Sequence, residues 1–415
     1  MLRQRSWRQF GLAVLEPGSI SKRILESDQR LTLTWEMAMQ LEKTKMDHLS
    51  DEELACWLAF DQLSGTGIGS RKLRTIFEHF QSLVPAWEAG WFDLKEVPGL
   101  PEQAIMKFLQ KRHEIKPELL LKTLREREVS AYPMCHPNYP KRLKEIHDPP
   151  SVLYVLGRFS AQDLKWAVGM VGTRRPTAYG QRLAKEMSRG LAESGVTIIS
   201  GMAVGIDSLA HRGAIEGGGR TVAVLGCGPD HCYPSSNKPL YKLLASGEHG
   251  AVVSEFFPGT PPESWRFPAR NRVISGLAQA LVVVEAGAAS GSLITARLAF
   301  EQSREVFAVP GRVDSPMSEG TNGLIATQTA HLARGHQDIL REMDWATASP
   351  EEKPTLFQLY GREKDVYDLL SNEPVHFDLL CERSGMAVGE LSATLTMLEL
   401  GGIVTRHPGD WYSRA

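Results

Sequence analysis

The stretch that decides the fold is WAVGMVGTRRPTAYG, residues 166–180. An apolar run ends at Gly172, and a polar loop then leads into a helix that starts near Thr177. Dinucleotide-binding proteins carry Gly-x-Gly-x-x-Gly at such a turn. Here the loop reads Gly-Thr-Arg-Arg-Pro-Thr, so Arg174 and Arg175 stand where close glycine packing is usual. Two arginines beside a helix start predict a site for an anion such as phosphate.

Six further apolar runs surround this one and alternate with helical segments between Val152 and about Arg334. Their continuous Val, Ile and Ala content is typical of strands buried on both faces of a parallel sheet. The predicted strands are VLYVLG, WAVGMVG, VTIISG, TVAVLG, AVVSE, ALVVVEA and EVFAVPG. Nearly every run ends in Gly, Glu or Pro before a polar loop. We therefore expect all these loops to gather at the carboxyl edge of the sheet, where open α/β folds bind ligands.

The flanking segments predict two further domains. Residues 63–80 and 96–109 each place a glycine-containing turn before an amphipathic helix and resemble helix-hairpin-helix elements. Their glycines either present N–H groups to a DNA phosphate or only form turns. The last sixty or so residues predict three helices and a short hairpin, the order of a winged helix. Its third helix carries Glu390 and Glu399 but no Arg or Lys, which favours protein contact or weak DNA contact over duplex reading.

A chain of 415 residues is long for a single core. The predicted fold class is α/β, with a Rossmann-like parallel-sheet domain between a helical domain and a winged helix. Residues up to about 45 show no clear period, and Met46 offers an alternative start. The predicted segments are a tail (1–45), a helical helix-hairpin-helix or SAM-like domain (46–128), the Rossmann-like domain (129–340), a linker (341–356) and the winged helix (357–415).

Composition limits the possible partners and compartments. A net charge of -2 shows no global basicity, so any polyanion site must be a local cluster. Five scattered cysteines argue against a disulfide framework and predict the cytoplasm. The group CGPDHC at 227–232 matches no zinc spacing; a structural turn is favoured over a metal site there. No apolar stretch approaches the roughly 20 residues of a membrane span, so we expect no membrane association.

The predicted carboxyl-edge loops carry the candidate binding residues. Residues 254–277 interleave three arginines with aromatic side chains, the mixture that clamps a nucleic-acid backbone and stacks unpaired bases. We expect at least two of these arginines to face the ligand, with Phe267 either packed or stacking. Residues 285–301 resemble an anion cradle without the lysine of a P-loop. The predicted DNA-binding residues are Gly172, Thr173, Arg174, Arg175, Lys238, Arg266, Phe267, Arg270, Asn271, Arg272, Ser290, Gly291 and Ser292.

Two features of these loops have a plainer alternative. Asp207 and His211 lie four residues apart on one predicted helical face and are either an acid/base pair or a helix-start charge with a neighbouring histidine. The second explanation is favoured because no nucleophile or metal set accompanies them. Lys238 at a helix start is either a phosphate contact or a solvated surface lysine. We predict no catalytic residue, no metal and no cofactor.

The motifs taken together resemble the DNA-processing protein A family, DprA or Smf, from about Tyr139 to Ala330. Its motifs here are YPKRLKEIHDPPSVLYVLG, VGTRRPTAYG, SGMAVGIDSLAH, FPARNRVISGLAQALVVVEAGAASGSLITARLAFE and VFAVPG. The resemblance implies a cytoplasmic, non-enzymatic homodimer that binds single-stranded DNA. It also implies protection of incoming strands during natural transformation and loading of the recombinase RecA. The family's basic DNA pocket corresponds here to the motifs at 172–174 and 270–272.

Two other classes of function stay open from the sequence. Nucleoside-monophosphate phosphoribohydrolases of the lysine-decarboxylase-like family share a similar fold. However, residues 285–301 lack the pattern Pro-Gly-Gly-x-Gly-Thr-x-x-Glu that would approach the substrate phosphate; Glu301 would be the residue to test. A duplex-DNA regulator acting through the winged helix is the third hypothesis.

Overall fold

The computed structural model describes residues 49–63, 65–345, 361–371, 373–401 and 403–414. The predicted tail, the alternative start at Met46 and residues 346–356 of the predicted linker lie outside the described residues. The chain divides between Trp345 and Ala346 into two compact units.

The described part of the first unit begins, from residue 49 onward, with six helices. Ser50 caps the first of these helices: its hydroxyl accepts a hydrogen bond from the Glu53 main-chain N–H at 3.1 Å. Three acidic residues in the first turn of this helix interact favourably with the helix dipole. A short 3₁₀ turn, Arg112–Glu114, separates the last two helices. The helices are α1 (Asp51–Asp61), α2 (Ser70–Phe80), α3 (Leu83–Glu88), α4 (Trp91–Lys95), α5 (Glu102–Lys111) and α6 (Pro117–Glu126).

The helical segment packs directly on the α/β segment. Trp57 and Phe108 belong to the same buried apolar cluster as Leu153 and Tyr154 of the sheet. The Tyr154 hydroxyl also donates to the Asp61 carboxylate at 2.7 Å. The two segments therefore share one core, and the division at residues 128 and 129 stays a prediction.

A nine-stranded sheet forms the centre of this unit, in the order β1-β2-β6-β5-β4-β3-β7-β8-β9. All seven predicted strands are present. Their pattern comes from side chains alternating between two apolar layers: Val168 and Met170 of β3 belong to one cluster, and Ala167 and Val171 to the other. The strands are β1 (Ser130–Pro133), β2 (Val152–Gly157), β3 (Ala167–Val171), β4 (Thr197–Ser200), β5 (Thr221–Leu225), β6 (Gly250–Ser254), β7 (Ala280–Val283), β8 (Glu305–Ala308) and β9 (His331–Leu332).

One expectation about the sheet is wrong. Strand β2 pairs antiparallel with both β1 and β6, so the loop after VLYVLG opens at the edge opposite the other loops. In the spatial order β6-β5-β4-β3-β7-β8-β9, each strand is parallel to the next. The sequence analysis also missed β1 and β9, because β1 has four residues including a proline and β9 only two.

The crossover helices cover both faces of the sheet. Along the chain, β3, β4, β5 and β6 step to one side, and β7 then returns to the other side of β3. Strands β3 and β7 therefore flank the topological switch point, where open α/β sheets bind ligands. The helices are α7 (Lys141–Lys144), α8 (Ala178–Glu193), α9 (Ile206–Glu216), α10 (Lys238–Ala245), α11 (Arg266–Leu277), α12 (Gly291–Glu301), α13 (Glu319–Ala326) and α14 (His336–Glu342).

Residues 341–345 belong to this first unit, although the sequence analysis assigned them to the linker. Helix α14 continues to Glu342, and the buried Trp345 ring stacks on Trp166 with ring centroids 6.1 Å apart. No helix within the described ranges is both long and apolar enough to cross a membrane.

The second unit has its own apolar core, which includes Val366, Leu380, Leu395 and Tyr412. Three helices precede a two-stranded hairpin, as expected for a winged helix, and a short third strand completes the sheet in the order β10-β12-β11. The elements are α15 (Arg362–Leu369), β10 (Val375–His376), α16 (Phe377–Ser384), α17 (Val388–Leu400), β11 (Val404–His407) and β12 (Trp411–Arg414).

Candidate nucleic-acid interface

An open cleft of about 560 Å³ lies at the switch point, outside the carboxyl ends of β3 and β7. We call it the switch-point cleft. Its walls are the loop after β3, the loop after β4, helix α11 and the start of α12. The lining residues include Gly172, Thr173, Arg174, Asp207, Tyr233, Phe267, Arg270, Asn271, Ser290, Gly291 and Ser292. Nine of these are among the thirteen residues predicted from sequence, so the predicted loops after β3 and β7 do meet.

Arg174 is the exposed cation of the cleft. No carboxylate among the described residues forms an ion pair with it, and its side chain makes no hydrogen bond to them. The neighbouring Arg175 is also exposed, and its side chain forms no ion pair or hydrogen bond with a described residue, but it does not line the cleft. An unpaired guanidinium keeps all its N–H donors available, which suits bidentate recognition of a phosphate.

Arg270 is the buried cation of the cleft, with 5% of its surface exposed. Its Nη1 donates to the main-chain carbonyls of Gly201, at 2.8 Å, and of Val224, which lie at the ends of β4 and β5. Its Nε has no hydrogen-bond partner among the described residues. Burial lowers the pKa of Arg270, and the charge of Asp207 opposes that shift. Arg270 thus sets a fixed positive charge at the base of the cleft, and its hydrogen bonds to described residues use only Nη1.

The helix start after β3 is not the free anion site that the sequence suggested. The Glu285 carboxylate accepts hydrogen bonds from the Thr177 main-chain N–H at 2.8 Å and from the Thr177 hydroxyl at 2.7 Å. Glu285 is buried, and it lies so close to Gly180 that a Cβ there would overlap its carboxylate. The protein's own carboxylate therefore occupies the start of α8. Sequence reasoning missed Glu285 because its partner lies 108 residues away.

The start of α12 carries no such carboxylate. Ser290 caps the helix, and its hydroxyl lies 2.7 Å from that of Ser292. The first N–H groups of any helix lack intrahelical partners, so this start combines them with two hydroxyls. Asn271 lines the same cleft, and its side-chain amide has no hydrogen bond to a described residue. These groups can bind a phosphate oxygen opposite Arg174.

Close backbone approach shapes the cleft at one glycine. Gly205 has φ of +85° and lies before α9, and a Cβ there would be 2.5 Å from the Thr173 carbonyl oxygen. The Ile206 main-chain N–H donates to that same oxygen at 3.2 Å. The glycine allows the loop after β4 to support the backbone that presents Arg174.

An aromatic pair forms one side of the cleft. Phe267 is half-buried and stacks on Tyr233, with ring centroids 5.2 Å apart and planes inclined by 27°. The Tyr233 ring is 42% exposed. Phe267 is thus at the cleft surface and in contact with its neighbour, rather than within the core. The sequence analysis did not include Tyr233, although an aromatic residue in the third carboxyl-edge loop was a usable signal.

Four predicted binding residues do not reach the cleft, and Arg272 is the clearest case. It lies on the other side of α11, where it binds Glu255 through two hydrogen bonds of 2.7 Å and Asp148 through one of 3.3 Å. The charge of Glu255 helps to raise its pKa. Its charge is already compensated within the protein, so the motif at 270–272 supplies Arg270 and Asn271 to the cleft but not Arg272.

Arg266, Lys238 and Arg175 are the other three. Arg266 packs against the rings of Phe256 and Trp265, at 5.2 and 5.0 Å, and pairs with Glu263 at 3.1 Å. Lys238 is exposed at the first turn of α10 and lines no part of the cleft. Of the three arginines in residues 254–277, only Arg270 lines the cleft, whereas the sequence predicted that at least two would face the ligand.

Asp207 lines the cleft and His211 does not, and both side chains have partners within the protein. His211 is fully buried, its Nδ1 lies 2.6 Å from the Thr221 hydroxyl, and burial lowers its pKa to about 3. Asp207 accepts from the Ala203 main-chain N–H at 3.3 Å, and burial raises its pKa against the charge of Arg270. The favoured interpretation, a helix-start charge with a neutral histidine, agrees with this geometry.

The group at 227–232 is a turn in which both thiols contact the main chain. Cys227 Sγ donates to the His231 carbonyl at 3.5 Å and Cys232 Sγ to the Pro234 carbonyl at 3.6 Å. Burial raises the pKa of Cys227 to about 12, which disfavours a metal-binding thiolate. Within the described ranges, no three His, Cys, Asp or Glu side chains form a group able to hold a metal.

The start of the second helix in the first helix-hairpin-helix element packs against the protein. Ser70, the first residue of α2, is buried and its hydroxyl donates to Asp148 at 3.1 Å. Arg71 Nε donates to the His147 carbonyl at 2.9 Å. The turn-forming alternative therefore describes this hairpin better than a phosphate contact at the helix start.

The residue that a phosphoribohydrolase would need lies far from the cleft. Glu301 ends α12 and pairs with Arg297 at 2.8 Å. The cleft lies at the other end of this 11-residue helix, about 15 Å away. This placement argues against the phosphoribohydrolase hypothesis.

The fold and the cleft define a class of protein. It is a Rossmann-like α/β protein that offers arginines, hydroxyls and an aromatic pair at the switch point, in place of a glycine-rich dinucleotide loop. Residues 131–344 match the family model of DNA recombination-mediator protein A, and residues 349–410 match the DprA winged helix domain. The chain belongs to the DNA recombination-mediator protein A family, the DprA/Smf family.

Individual relatives agree with this assignment. Protein Smf of Synechocystis is 34% identical over 88% of this chain and 100% of its own length. DNA processing protein DprA of Bacillus subtilis is 41% identical over 54% of this chain and 74% of its own length. The X-ray structure of DprA from Streptococcus pneumoniae superposes with a TM-score of 0.60 and 32% identity, covering 71% of this chain and 98% of that one.

Proposed function

We propose that this protein binds single-stranded DNA in the switch-point cleft. The observation that carries the proposal is the position of Arg174. This unpaired, exposed guanidinium shares the cleft with the buried Arg270 and with the exposed Tyr233–Phe267 stack. Cations that bind a backbone and rings that stack on bases are the two components of single-strand recognition. Of the predicted binding residues, the proposal rests on Gly172, Thr173, Arg174, Phe267, Arg270, Asn271, Ser290, Gly291 and Ser292.

The aromatic pair favours a single strand over a duplex. A base stacks on a side chain only when its face is free, which is the case for an unpaired strand. A volume of about 560 Å³ is in the range of small-ligand pockets, and it suits a few nucleotides rather than a double helix. The winged helix adds little to duplex binding in this proposal, because α17 carries Glu390 and Glu399 and no Arg or Lys.

The wider role rests on family membership. We infer that the protein acts in the cytoplasm as a homodimer, protects incoming single strands, and loads RecA onto them during natural transformation and recombination. The support is the match of both family models and of relatives along most of the chain. No residue is assigned to the dimer or to the RecA contact.

A salt titration of DNA binding tests the cleft. Arg174→Ala should weaken binding to oligothymidylate and reduce the slope of log affinity against log salt by about 0.7 for one lost phosphate contact. Its thermal midpoint should match that of the unaltered protein, because Arg174 has no partner to lose among the described residues. Arg212→Ala removes an exposed, unpaired arginine that does not line the cleft and serves as the matched control.

Arg270→Ala distinguishes the buried cation from the exposed one. It should also weaken binding, but it should lower the free energy of unfolding by about 2 kcal/mol as well, because two carbonyls lose a charged donor. An unchanged affinity and slope in both Arg174→Ala and Arg270→Ala would disprove the site. Parallel titrations with duplex DNA should show weaker binding throughout.

A further inference from the structure

A second basic groove lies between the helical segment and the α/β segment, away from the switch-point cleft. We call it the junction groove. It has a volume of about 460 Å³, and its basic side chains come from two short stretches of chain. The lining residues are Ser70, Arg71, Arg74, Met134, Lys141, Lys144, Glu145, Ile146, His147 and Pro149.

Two pairs of cations form the walls of this groove. Arg71 and Arg74 lie three residues apart on α2, and Lys141 and Lys144 lie three residues apart on α7, a spacing that places each pair on one helical face. All four side chains are exposed. Residues Met134, Ile146 and Pro149 are buried and form an apolar floor.

The groove has a clear excess of positive charge. Four permanent cations stand against one carboxylate in the lining, Glu145. Arg74 also pairs with Glu78 at 2.9 Å, but both side chains are more than half exposed, so this pair is weak and easily exchanged. Lys141 and Lys144 form no ion pair with any described residue. Lys141 and Lys144 thus leave two exposed, unpaired cations on one wall of the groove, in a protein whose net charge is -2.

The groove lies close to the cleft, on the other side of one helix. On α11, Arg270 and Asn271 line the cleft, whereas Arg272 on the opposite side binds Asp148. Asp148 follows His147 of the groove directly and accepts from Ser70 of the same wall. A strand that leaves the cleft therefore needs to cross about 10 Å, the width of one helix, to reach the second set of cations.

We propose that the junction groove is a second binding site for the phosphate backbone of the same single strand. It would extend the binding track beyond the switch-point cleft and hold only longer strands. The inference rests on the proposed function, since the cleft must hold the strand first. Exposed cations on both walls, of which Lys141 and Lys144 form no ion pair with described residues, fit a phosphodiester backbone, whose charges repeat along its length. The apolar floor needs no hydrogen bonds from the ligand.

The experiment compares strands of two lengths. Lys141→Glu/Lys144→Glu reverses one wall of the groove, and Arg71→Ala/Arg74→Ala neutralises the other. Lys107→Glu/Lys242→Glu makes the same charge change as the first variant at two exposed lysines that line neither site. Fluorescence anisotropy would measure affinity for oligothymidylates of about 6 and about 30 nucleotides, which span less than and more than a typical single-strand site. Thermal midpoints check that each variant is folded.

The expected result is a loss that depends on strand length. Both groove variants should bind the longer strand about tenfold more weakly than the control, with a salt slope lower by about 0.7 for each lost phosphate contact. The shorter strand should bind equally well to all proteins. The inference is overturned if the longer strand binds the groove variants and the control alike, which would leave the groove to an acidic protein partner. It is also overturned if both strands weaken equally.

The two proposals fail in different ways. If the unaltered protein binds the longer strand but not the shorter one, the cleft proposal fails, and the groove is still judged by the longer strand. If the shorter strand binds and Arg174→Ala weakens it while the groove variants bind the longer strand normally, only the groove inference fails.

Discussion

Arg270 and Gly201 are in direct contact at the base of the cleft. Arg270 Nη1 donates to the Gly201 carbonyl oxygen at 2.8 Å, and a Cβ on Gly201 would overlap the guanidinium itself. Gly201, at the end of β4, therefore binds the Arg270 guanidinium through its carbonyl oxygen. Because it has no side chain, it also leaves room for that guanidinium. The position of the charge depends on a residue that has no side chain.

Gly201→Ala tests this dependence without removing any charge. The added methyl group should displace the Arg270 side chain from its two carbonyl partners. We expect affinity for single-stranded DNA to fall towards that of Arg270→Ala, and the free energy of unfolding to fall by about 1–3 kcal/mol from overpacking. Gly323→Ala is the matched control, because Gly323 lies outside the cleft lining and a Cβ there meets no atom within 4 Å. Wild-type affinity in Gly201→Ala would show that the position of Arg270 does not matter.

The sequence was sufficient for seven of the nine strands of the sheet but not for the direction of β2. Strands such as β5 and β7 were predictable because residues buried on both faces of a sheet are apolar throughout. Strand β2 has the same pattern, yet it runs antiparallel to β6. Burial on both faces decides the composition of a strand whichever way it runs, so composition alone could not reveal its direction.

The motif at 270–272 was predicted correctly in part: two of its three residues line the cleft and the third does not. It identified Arg270 and Asn271 correctly as cleft residues. Residues two apart on a helix do not face the same side, so Arg270 and Arg272 could not both line the cleft once residues 266–277 were helical. Glu255 and Asp148, which bind Arg272, lie 17 and 124 residues away in sequence. Such distant partners appear only when the chain is folded.

Phe267→Ala should weaken single-strand binding through lost stacking. Base–aromatic stacking contributes about 1–3 kcal/mol per base, so a loss of roughly ten-fold in affinity is expected, with the salt slope unchanged because no cation is removed. Tyr233→Ala removes the other ring of the stack and should act in the same direction. Trp265→Ala serves as the control, since this exposed ring lies outside the cleft lining. A reduced salt slope in Phe267→Ala would contradict a stacking role.

Asp61 should make the stability of the first unit depend on pH. Burial raises its pKa to about 7, and the Tyr154 hydroxyl bond opposes this shift. The folded state holds the Asp61 proton more tightly than the unfolded chain does. The contribution of Asp61 to the free energy of unfolding is therefore greatest below about pH 4 and declines as the pH rises through 7. Asp61→Asn should therefore raise the free energy of unfolding at pH 8 by about 1 kcal/mol, roughly a third of the full effect of such a shift. The difference from wild type should vanish near pH 4, and a constant difference across this range would contradict the assignment.

Removal of the winged helix separates the cleft from a duplex-DNA regulator. A chain that ends after Trp345 keeps the whole first unit and should retain its affinity for oligothymidylate within about two-fold, since no cleft residue lies beyond that point. A chain that ends after Arg341 loses the buried Trp345, which stacks on Trp166. By analogy with other buried aromatic residues, it should lose about 3 kcal/mol or more of stability. Calorimetry and anisotropy on both chains would test this contrast. If the longer truncated chain is folded but no longer binds a single strand, the binding site lies in the winged helix, because the cleft itself would be intact.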